Sequence, residues 1–222
     1  MISIHHITKV YQRGKESVYA LNDFSLDIEK GEYIGVVGPS GSGKSTLMNM
    51  IGLLDSPSSG DILIAGRNLA KLDHAEKNRL RRKTIGFIFQ QFLLVPTMTA
   101  LQNVMLPLYF AGNGDAERRA HELLVHVGLE QRAHHLPSEM SGGEMQRTAI
   151  ARALANRPSV LLADEPAGNL DSKTGEGIYA LFREINREGT TIVIVTHNQE
   201  MAAGLPRMIT LRDGRLEKDE RK

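Results

Sequence analysis

The chain has 222 residues, of which 41% are hydrophobic and 24% charged, an ordinary balance for a globular protein with one large core or a core and an inserted subdomain. A net charge of +1 gives no electrostatic reason to expect nucleic acid as a partner. The absence of cysteine excludes disulfides and thiolate metal sites and fits a reducing compartment. No apolar run approaches the roughly 20 residues of a membrane span, and the start "MISIHHITKV" lacks the apolar region of a signal peptide. We therefore expect a cytoplasmic protein that reaches a membrane only through a partner.

The first half of the chain predicts a small β region and one strand–turn–helix unit. Residues 1–31 and 61–66 look like short strands that form an antiparallel sheet. The apolar run "EYIGVV" (32–37) predicts a strand, and the helical spacing of apolar residues predicts a helix over 44–54. A glycine-rich turn joins this strand to this helix.

The second half predicts a helical region and two further apolar strands. Residues 92–155 are mainly helical by their pattern, most clearly over 115–129. The run 159–164 predicts a strand, and a helix follows it, with apolar residues at helical spacing (Ile178, Leu181, Phe182 and Ile185). The run 190–197 predicts another strand that ends in a histidine.

Apolar strands that alternate with amphipathic helices predict an α/β fold with a mostly parallel sheet covered on both faces. We expect an N-terminal antiparallel β subdomain beside this core and an inserted α-helical subdomain. The predicted division assigns 1–91 and 156–222 to the core with its β subdomain, and 92–155 to the helical subdomain. Polar residues just past the ends of parallel strands line the ligand crevice of such sheets.

The turn "GPSGSGKST" (38–46) matches the phosphate-binding pattern G-x-x-x-x-G-K-[ST] between a strand and a helix. Its glycines let backbone N–H groups converge on phosphate oxygens at the positive end of the following helix. Lys44 is expected to reach the β- and γ-phosphates, and the Ser45 hydroxyl to bind Mg²⁺. The remaining nucleotide-binding candidates of this loop are Gly38, Ser40, Gly41, Ser42, Gly43 and Thr46. The alternative is a glycine-rich turn with a surface lysine.

Two acids close the strand 159–164. Asp164 lies where a second strand of such a site supplies a carboxylate for Mg²⁺, and Glu165 is a candidate general base for an attacking water. The alternative for both is capping of the next helix. No N-K-x-D element for reading guanine occurs in the chain, so the sequence favours binding and hydrolysis of ATP.

A second possible phosphate site is "MSGGEMQR" (140–147). Ser141 offers a hydroxyl, Gly142 and Gly143 allow close backbone approach, and a helix is predicted from Glu144 to a point before Pro158. The alternative is a serine that merely caps this helix.

Taken together, these motifs resemble the nucleotide-binding subunit of ATP-binding cassette (ABC) transporters over essentially the whole chain. "SGGE" followed by "QR" resembles the family's signature loop. Four further positions resemble family motifs: Tyr11 the adenine-stacking aromatic, Gln90 the Q-loop glutamine, Asp171 the D-loop aspartate and His197 the switch histidine. Each has a plainer interpretation: Tyr11 as a strand residue, Gln90 as a turn residue, Asp171 as a helix cap and His197 as a structural histidine. The departures are mild: Met140, Glu144 and Ala167 stand where other residues are more usual, and Glu144 brings a carboxylate near the signature loop.

The resemblance implies an ABC ATPase fold and a head-to-tail dimer of two copies. Ser141, Gly142 and Gly143 of one copy, with Glu144 beside them, would cover the γ-phosphate of the ATP on the other copy's loop 38–46. The implied catalytic residues are Lys44, Gln90, Glu165 and His197. The implied Mg²⁺ ligands are Ser45, Gln90 and Asp164.

The resemblance further implies that separate transmembrane permease subunits are the partners, and that the chain lies on the cytoplasmic face of the cell membrane. "FLLVPTMTALQNVMLPLYF" (92–110) contains the region that forms the permease groove in the family, although most of these residues are equally well explained as internal core. The nearest resemblance is to lipoprotein-releasing and macrolide-exporter ATPases. Cell-division ATPases, peptide exporters or sensors, a soluble ABC ATPase of translation or DNA repair, and a P-loop kinase are the alternatives.

Overall fold

A computed structural model describes residues 1–14, 16–112, 114–198, 202 and 204–222. Within these residues the strands are β1 (Ile2–Arg13), β2 (Glu16–Ile28), β3 (Tyr33–Val37), β4 (Ser59–Ile64), β5 (Arg67–Asn68), β6 (Ile85–Phe89), β7 (Val160–Asp164), β8 (Thr191–Val195), β9 (Arg207–Arg212) and β10 (Arg215–Arg221). The α-helices are α1 (Lys44–Ile51), α2 (His74–Thr84), α3 (Ala100–Phe110), α4 (Ala116–His126), α5 (Gly142–Leu154) and α6 (Ser172–Arg187). The chain divides into two compact units, unit 1 (Met1–Arg81 and Thr191–Lys222) and unit 2 (Arg82–Thr190).

Unit 1 contains the predicted antiparallel sheet, with strand order β2-β1-β4-β5. The expectation of short strands was wrong for residues 1–31, because β1 and β2 are 12 and 13 residues long. Their ladder shifts register between Ile4 and Ile7 and again between Ile7 and Val10, and His6 adopts a positive φ of 49°. Such bulges interrupt the alternation of inward and outward side chains without ending the strand. The sequence pattern therefore suggests breaks that the hydrogen-bonded ladder does not have.

Unit 1 also contains parallel strands, in the order β10-β9-β3-β8. β3 pairs in parallel with both β8 and β9, while β10 returns antiparallel to β9. Every residue of β3 and of β8 is buried, which is why both segments read as continuous apolar runs. The loop 38–43 leaves the carboxyl end of β3 and leads into α1.

Unit 2 combines a parallel strand pair with helices. β6 and β7 pair in parallel from Ile85↔Val160 to Phe89↔Asp164. α3 packs on α4 and α5, and its apolar residues Ala100, Leu101, Val104, Met105 and Leu108 are buried. The apolar face predicted for the helix after 164 is also confirmed, because its four apolar residues lie buried on α6. The buried α3 residues of the run 92–110 are therefore internal core, whereas Leu93, Tyr109 and Phe110 of the same run are exposed.

The structure confirms the predicted α/β fold with parallel strands, an antiparallel β region and a helical region. Element ends differ by a few residues: α1 stops at Ile51, and α5 begins at Gly142 because Ser141 caps it. The predicted division into 1–91 with 156–222 and 92–155 is not the same partition as the two compact units, and it stays a prediction. Among the described residues no helix combines the length and apolarity needed to span a bilayer.

Candidate nucleotide site

The loop 38–43 in unit 1 has the tight backbone that a phosphate cradle needs. Gly41 and Gly43 have φ angles of +78° and +105°. A Cβ on Gly43 would lie 2.4 Å from the carbonyl oxygen of Ala20, so both the backbone angle and the close approach of β2 require glycine there. Successive N–H groups in such a turn point into one concavity, where an anion can bind.

The polar groups around this loop fit a polyphosphate. No side chain caps the start of α1, and its first turn holds no acidic residue, so its N–H groups retain partial positive charge. The Ser42 hydroxyl is buried and has no hydrogen-bond partner within the described part of the chain. Lys44 Nζ donates to the carbonyl oxygens of Gly38 and Pro39 at 2.8 and 2.9 Å. A phosphate group would give the helix N–H groups an acceptor and Lys44 a counter-charge.

Unit 1 places four other predicted residues close to this loop in the chain or in space. Ser40 is exposed on the loop, and Ser45 and Thr46 lie in the first turn of α1. His197 follows β8 and lines a cavity of about 830 Å³ together with Gly38, Pro39 and Ser40. The predicted switch histidine and the predicted phosphate loop therefore face one cavity, as the resemblance implies.

Tyr11 lies near the end of β1, where it pairs with Val18 of β2. Its side chain is not part of the core, since the residue is 39% exposed. Its hydroxyl donates to Asp55 Oδ2 at 2.8 Å. An exposed, tethered aromatic ring is suited to stacking on a flat ligand, and the adenine-stacking role of Tyr11 stays a prediction.

Unit 2 brings the predicted acids and glutamine to one edge of the β6–β7 pair. Asp164 is the last residue of β7 and lies opposite Phe89, so Gln90 and Glu165 each follow directly at the same edge. Glu165 has a φ of +48°, a left-handed conformation that costs a side-chain-bearing residue about 1–2 kcal/mol. Strain of this kind is concentrated at functional sites, where the surrounding structure holds a side chain in place.

Gln90 is fixed by the loop that contains the predicted D-loop. Gln90 Nε2 donates to Asn169 Oδ1 at 3.1 Å, and Asn169 Nδ2 donates to the Gln90 carbonyl at 3.0 Å. The backbone at Gly168 also packs closely against the Gln90 side chain, because a Cβ on Gly168 would lie 2.8 Å from Gln90 Nε2. Any shift of Gln90 must therefore move the segment 168–169 as well.

The signature loop is an N-terminal capping box of α5. Glu144 N–H donates to Ser141 Oγ at 3.3 Å, while Ser141 N–H donates to a Glu144 carboxylate oxygen at 2.8 Å. Glu144 also accepts from Arg132 Nε at 2.8 Å. The bond from the Ser141 backbone, the Ser141 hydroxyl and Arg132 lower the pKa of Glu144, against a smaller raising effect of burial. The carboxylate near the signature loop is therefore held as a cap.

The two signature glycines permit close packing against the D-loop segment. A Cβ on Gly143 would lie 2.6 Å from Thr174 Cγ2, and one on Gly142 would lie 3.1 Å from Leu170 Cδ2. Asp171 caps α6 by accepting from Thr174 N–H at 3.0 Å, and hydrogen bonds from Thr174 lower the pKa of this fully exposed carboxyl. Capping and a D-loop role are compatible for Asp171.

Comparison with known proteins agrees with these motifs. The family model described as ABC transporter matches residues 21–168. An uncharacterized ABC transporter ATP-binding protein of Methanocaldococcus jannaschii, MJ0796, is 48% identical across 100% of this chain and 97% of its own length. The chain belongs to the ABC transporter family. The ABC transporter ATP-binding protein YknY of Bacillus subtilis is likewise 48% identical, over 97% of this chain and 95% of YknY.

Two matches of this ABC chain are described with a function or a bound state. The macrolide export ATP-binding/permease protein MacB of Bdellovibrio bacteriovorus is 49% identical over 100% of the chain, which spans 34% of that protein. A solved structure of MJ0796, described as a dimeric post-hydrolysis state bound to ADP and Pi, matches with a TM-score of 0.91 and 46% identity, covering 100% of this chain and 98% of that one. The predicted ABC ATPase fold and the ATPase class are confirmed, and the role of each individual residue stays a prediction.

The sequence assigned no role to three residues that hold the ABC motifs in position. They are Asn169, described above, Gln146, which belongs to the quoted "QR" of the signature match, and Arg152. Gln146 is fully buried and donates to the carbonyl of Pro166, just after Glu165, at 2.7 Å. Arg152 donates to the carbonyls of Phe92 and Leu93, and burial lowers its pKa. For Gln146 and Arg152, the sequence signal of a supporting role was a polar residue among the apolar positions of a predicted helix.

Proposed function

We propose that this chain is the ATP-hydrolysing motor of an ABC transporter of the lipoprotein-release or macrolide-export type. The observation that carries the proposal is the buried Ser42 hydroxyl, which has no hydrogen-bond partner among the described residues, in a glycine loop whose helix start no described side chain caps. Those groups need an anion, and a relative with this fold is described with ADP and Pi. The MacB relative, described as a macrolide export protein, supports an export function.

We assign the nucleotide contacts by motif. The phosphates bind loop 38–46, where Lys44 neutralises their charge, and the base stacks on Tyr11. Mg²⁺ would be held by Ser45, Gln90 and Asp164, and it would withdraw charge from the leaving phosphates. The donor set fits, because hydroxyl, amide and carboxylate oxygens are the ligands that Mg²⁺ prefers.

In this proposal the hydrolytic step depends on Glu165. Its carboxylate accepts a proton from the attacking water, and His197 donates a hydrogen bond to the γ-phosphate. Ser141, Gly142 and Gly143 of a second copy complete the cover over that phosphate, next to Glu144 and Asp171. The dimeric state described for MJ0796 supports this arrangement. ATP binding then closes the dimer, and hydrolysis opens it.

We further propose separate permease subunits as partners, with the chain held by them at the cytoplasmic face of the cell membrane. MJ0796 and YknY support this, because this chain covers 97% and 95% of their lengths. MacB, in contrast, is described as a single ATP-binding/permease protein. Co-purification of the full protein from native membranes, followed by identification of the associated chains, tests the partner and would narrow the transported substrate.

The mutation Glu165→Gln tests the catalytic assignment. Loss of a general base lowers rates by about 10²–10⁴-fold, so ATP turnover should fall by at least ~10²-fold while ATP binding persists. The trapped ATP should also make the dimer isolable by size-exclusion chromatography. Glu184→Gln, at an exposed position on α6, is the matched control and should hydrolyse ATP normally. ATPase activity near the wild-type rate in Glu165→Gln would refute the assignment.

A further inference from the structure

A half-buried charged cluster surrounds Tyr11, and neither the motifs nor the proposed mechanism uses it. Asp55 accepts from Lys9 Nζ at 2.7 Å through Oδ1 and from the Tyr11 hydroxyl at 2.8 Å through Oδ2. Lys9 Nζ also lies 4.9 Å from the centroid of the Tyr11 ring, within the range of a cation–π contact. One ion pair therefore holds Tyr11 both at its hydroxyl and on its ring.

The charged side chains of this cluster are partly shielded from solvent, which strengthens their hydrogen bonds. The side chains of Lys9 and Asp55 are 13% and 31% exposed, and charge-assisted hydrogen bonds in such surroundings are stronger than those of an exposed ion pair. Burial alone would raise the pKa of Asp55, but hydrogen bonds from Lys9, Tyr11 and the Ser56 N–H together lower it. Asp55 therefore stays a carboxylate at neutral pH and keeps both partners.

The cluster is also tied to the phosphate loop through α1. Asp55 comes shortly after this helix, and its N–H donates to the Asn49 carbonyl at 3.3 Å. α1 has eight residues, so it spans about 12 Å and begins within the phosphate loop. The Tyr11 hydroxyl also interacts with the side chain of Thr46, in the first turn of α1. Burial and Asp55 raise the pKa of Tyr11, and the interaction with Thr46 lowers it in part. The ring position is thus linked to both ends of one rigid helix.

The segment after Asp55 is bound to β1 as well. Lys9 Nζ donates to the Ser56 carbonyl at 2.9 Å, and the Val10 N–H donates to Ser58 Oγ at 3.1 Å. Ser58 N–H in turn donates to the Thr8 carbonyl at 2.8 Å. These bonds attach the three residues that precede Tyr11 on β1 to the segment after α1, and they restrict how far the ring can move relative to α1.

We infer that Asp55, together with Lys9, is a positioning residue for nucleobase recognition, because it holds the Tyr11 ring at a fixed place relative to the phosphate loop. The inference rests on the proposed function, which puts phosphates on loop 38–46 and a base on Tyr11. Lys9 occupies one ring face and leaves the other for the base. A ring that is already immobilised loses little rotamer freedom when the base stacks on it.

Base-dependent affinity is the quantity that tests this inference. Releasing one side chain costs binding about three- to tenfold, so Asp55→Ala should weaken Mg-ATP binding by that factor in calorimetric titrations. Binding of inorganic tripolyphosphate with Mg²⁺, which has no base, should change less than about twofold. Asp55→Asn, which keeps the shape but not the charge, should lose part of the same affinity for ATP and supplies the test if Asp55→Ala folds poorly. Asp61→Ala is the matched control: this carboxylate on β4 accepts a hydrogen bond from Asn68 Nδ2 at 2.8 Å, and ATP affinity should be unchanged.

A double-mutant cycle shows whether Asp55 acts through Tyr11. The losses from Asp55→Ala and Tyr11→Phe should be non-additive, since both release the same ring. Equal losses for ATP and tripolyphosphate, or additive losses in the cycle, would overturn the inference. If Tyr11→Ala lowers ATP affinity but the Asp55 variants do not, the positioning role fails and the proposed base site stands. If Tyr11→Ala itself leaves ATP affinity unchanged, the base site of the proposed function fails.

Discussion

A single methyl group added to Gly214, in the turn between β9 and β10, should weaken both the stability of the fold and the binding of ATP. Gly214 N–H donates to the Ser42 carbonyl at 3.0 Å, and the Gly214 carbonyl accepts from Asn22 N–H at 2.9 Å. A Cβ on Gly214 would lie 3.0 Å from both the Ala20 carbonyl oxygen and Leu21 Cα. The turn is therefore wedged between the phosphate loop and β2, and Gly214→Ala should push them apart.

A second hairpin turn supplies the reference for the magnitude. Ala65 and Gly66 between β4 and β5 have φ angles of +50° and +76°, and Asp213 and Gly214 have +48° and +73°. A Cβ on Gly66 meets nothing within 4 Å, so Gly66→Ala should cost only the left-handed strain of about 1–2 kcal/mol. Gly214→Ala should add an overpacking cost of about 1–3 kcal/mol. The difference in unfolding free energy between the two variants gives the cost of the steric contact at Gly214 alone, because the backbone strain is common to both.

Urea unfolding and ATP titration of the full chain measure both consequences. Gly214→Ala should have a lower urea midpoint than Gly66→Ala at a similar slope. If about 1–2 kcal/mol of the strain reaches the phosphate loop, ATP should bind about five- to thirtyfold more weakly in Gly214→Ala. Gly66→Ala should bind ATP normally. Equal losses of stability in the two variants, with unchanged ATP affinity in both, would refute the reasoning.

Two further predictions address the dimer and the pH dependence of stability. Ser141→Arg should abolish ATP-induced dimerisation in Glu165→Gln while leaving ATP binding to the single copy intact, and lost binding would mean that the loop 141–143 belongs to the same copy's site. Asp219 bonds the 6%-exposed guanidinium of Arg207 at 2.8 and 2.7 Å, and Arg207 lowers the pKa of Asp219. A lowered pKa stabilises the fold above the unfolded-state value of about 3.9, so Asp219→Asn should cost about 1.5–3 kcal/mol at neutral pH. This difference from the wild type should begin to shrink near pH 4 and be lost as the pH falls through the lowered pKa of Asp219 in the folded state, and a constant difference down to pH 2 would contradict the pairing.

Local patterns were enough to predict the parts of the site that are contiguous in the chain. Loop 38–46 depends on glycines and a lysine at fixed spacing, and Asp164 depends on an apolar strand that ends in an acid. The apolar strands were readable because β3 and β8 are buried along their whole length. A strand that is buried on both faces appears in the sequence as a continuous apolar run.

Contacts between distant segments could not be predicted from the sequence. The Gln90–Asn169 pair spans 79 positions, and Asp55 reaches Tyr11 across 44. The length of β1 was misjudged for a related reason, since bulges disturb the alternation of residues while β1 stays paired with β2 on either side of each register shift.

The sequence by itself determined that this chain is an ABC ATPase with a phosphate loop, a pair of strand-end acids and a signature loop. Only the tertiary structure decided which side chains hold those motifs in place: Asp55 at Tyr11, Gly214 at Ser42, and Arg132 at Glu144. The physical reason is that a motif records which atoms meet a ligand over a few consecutive residues. The support for that motif comes from packing and hydrogen bonds between segments that only folding brings together.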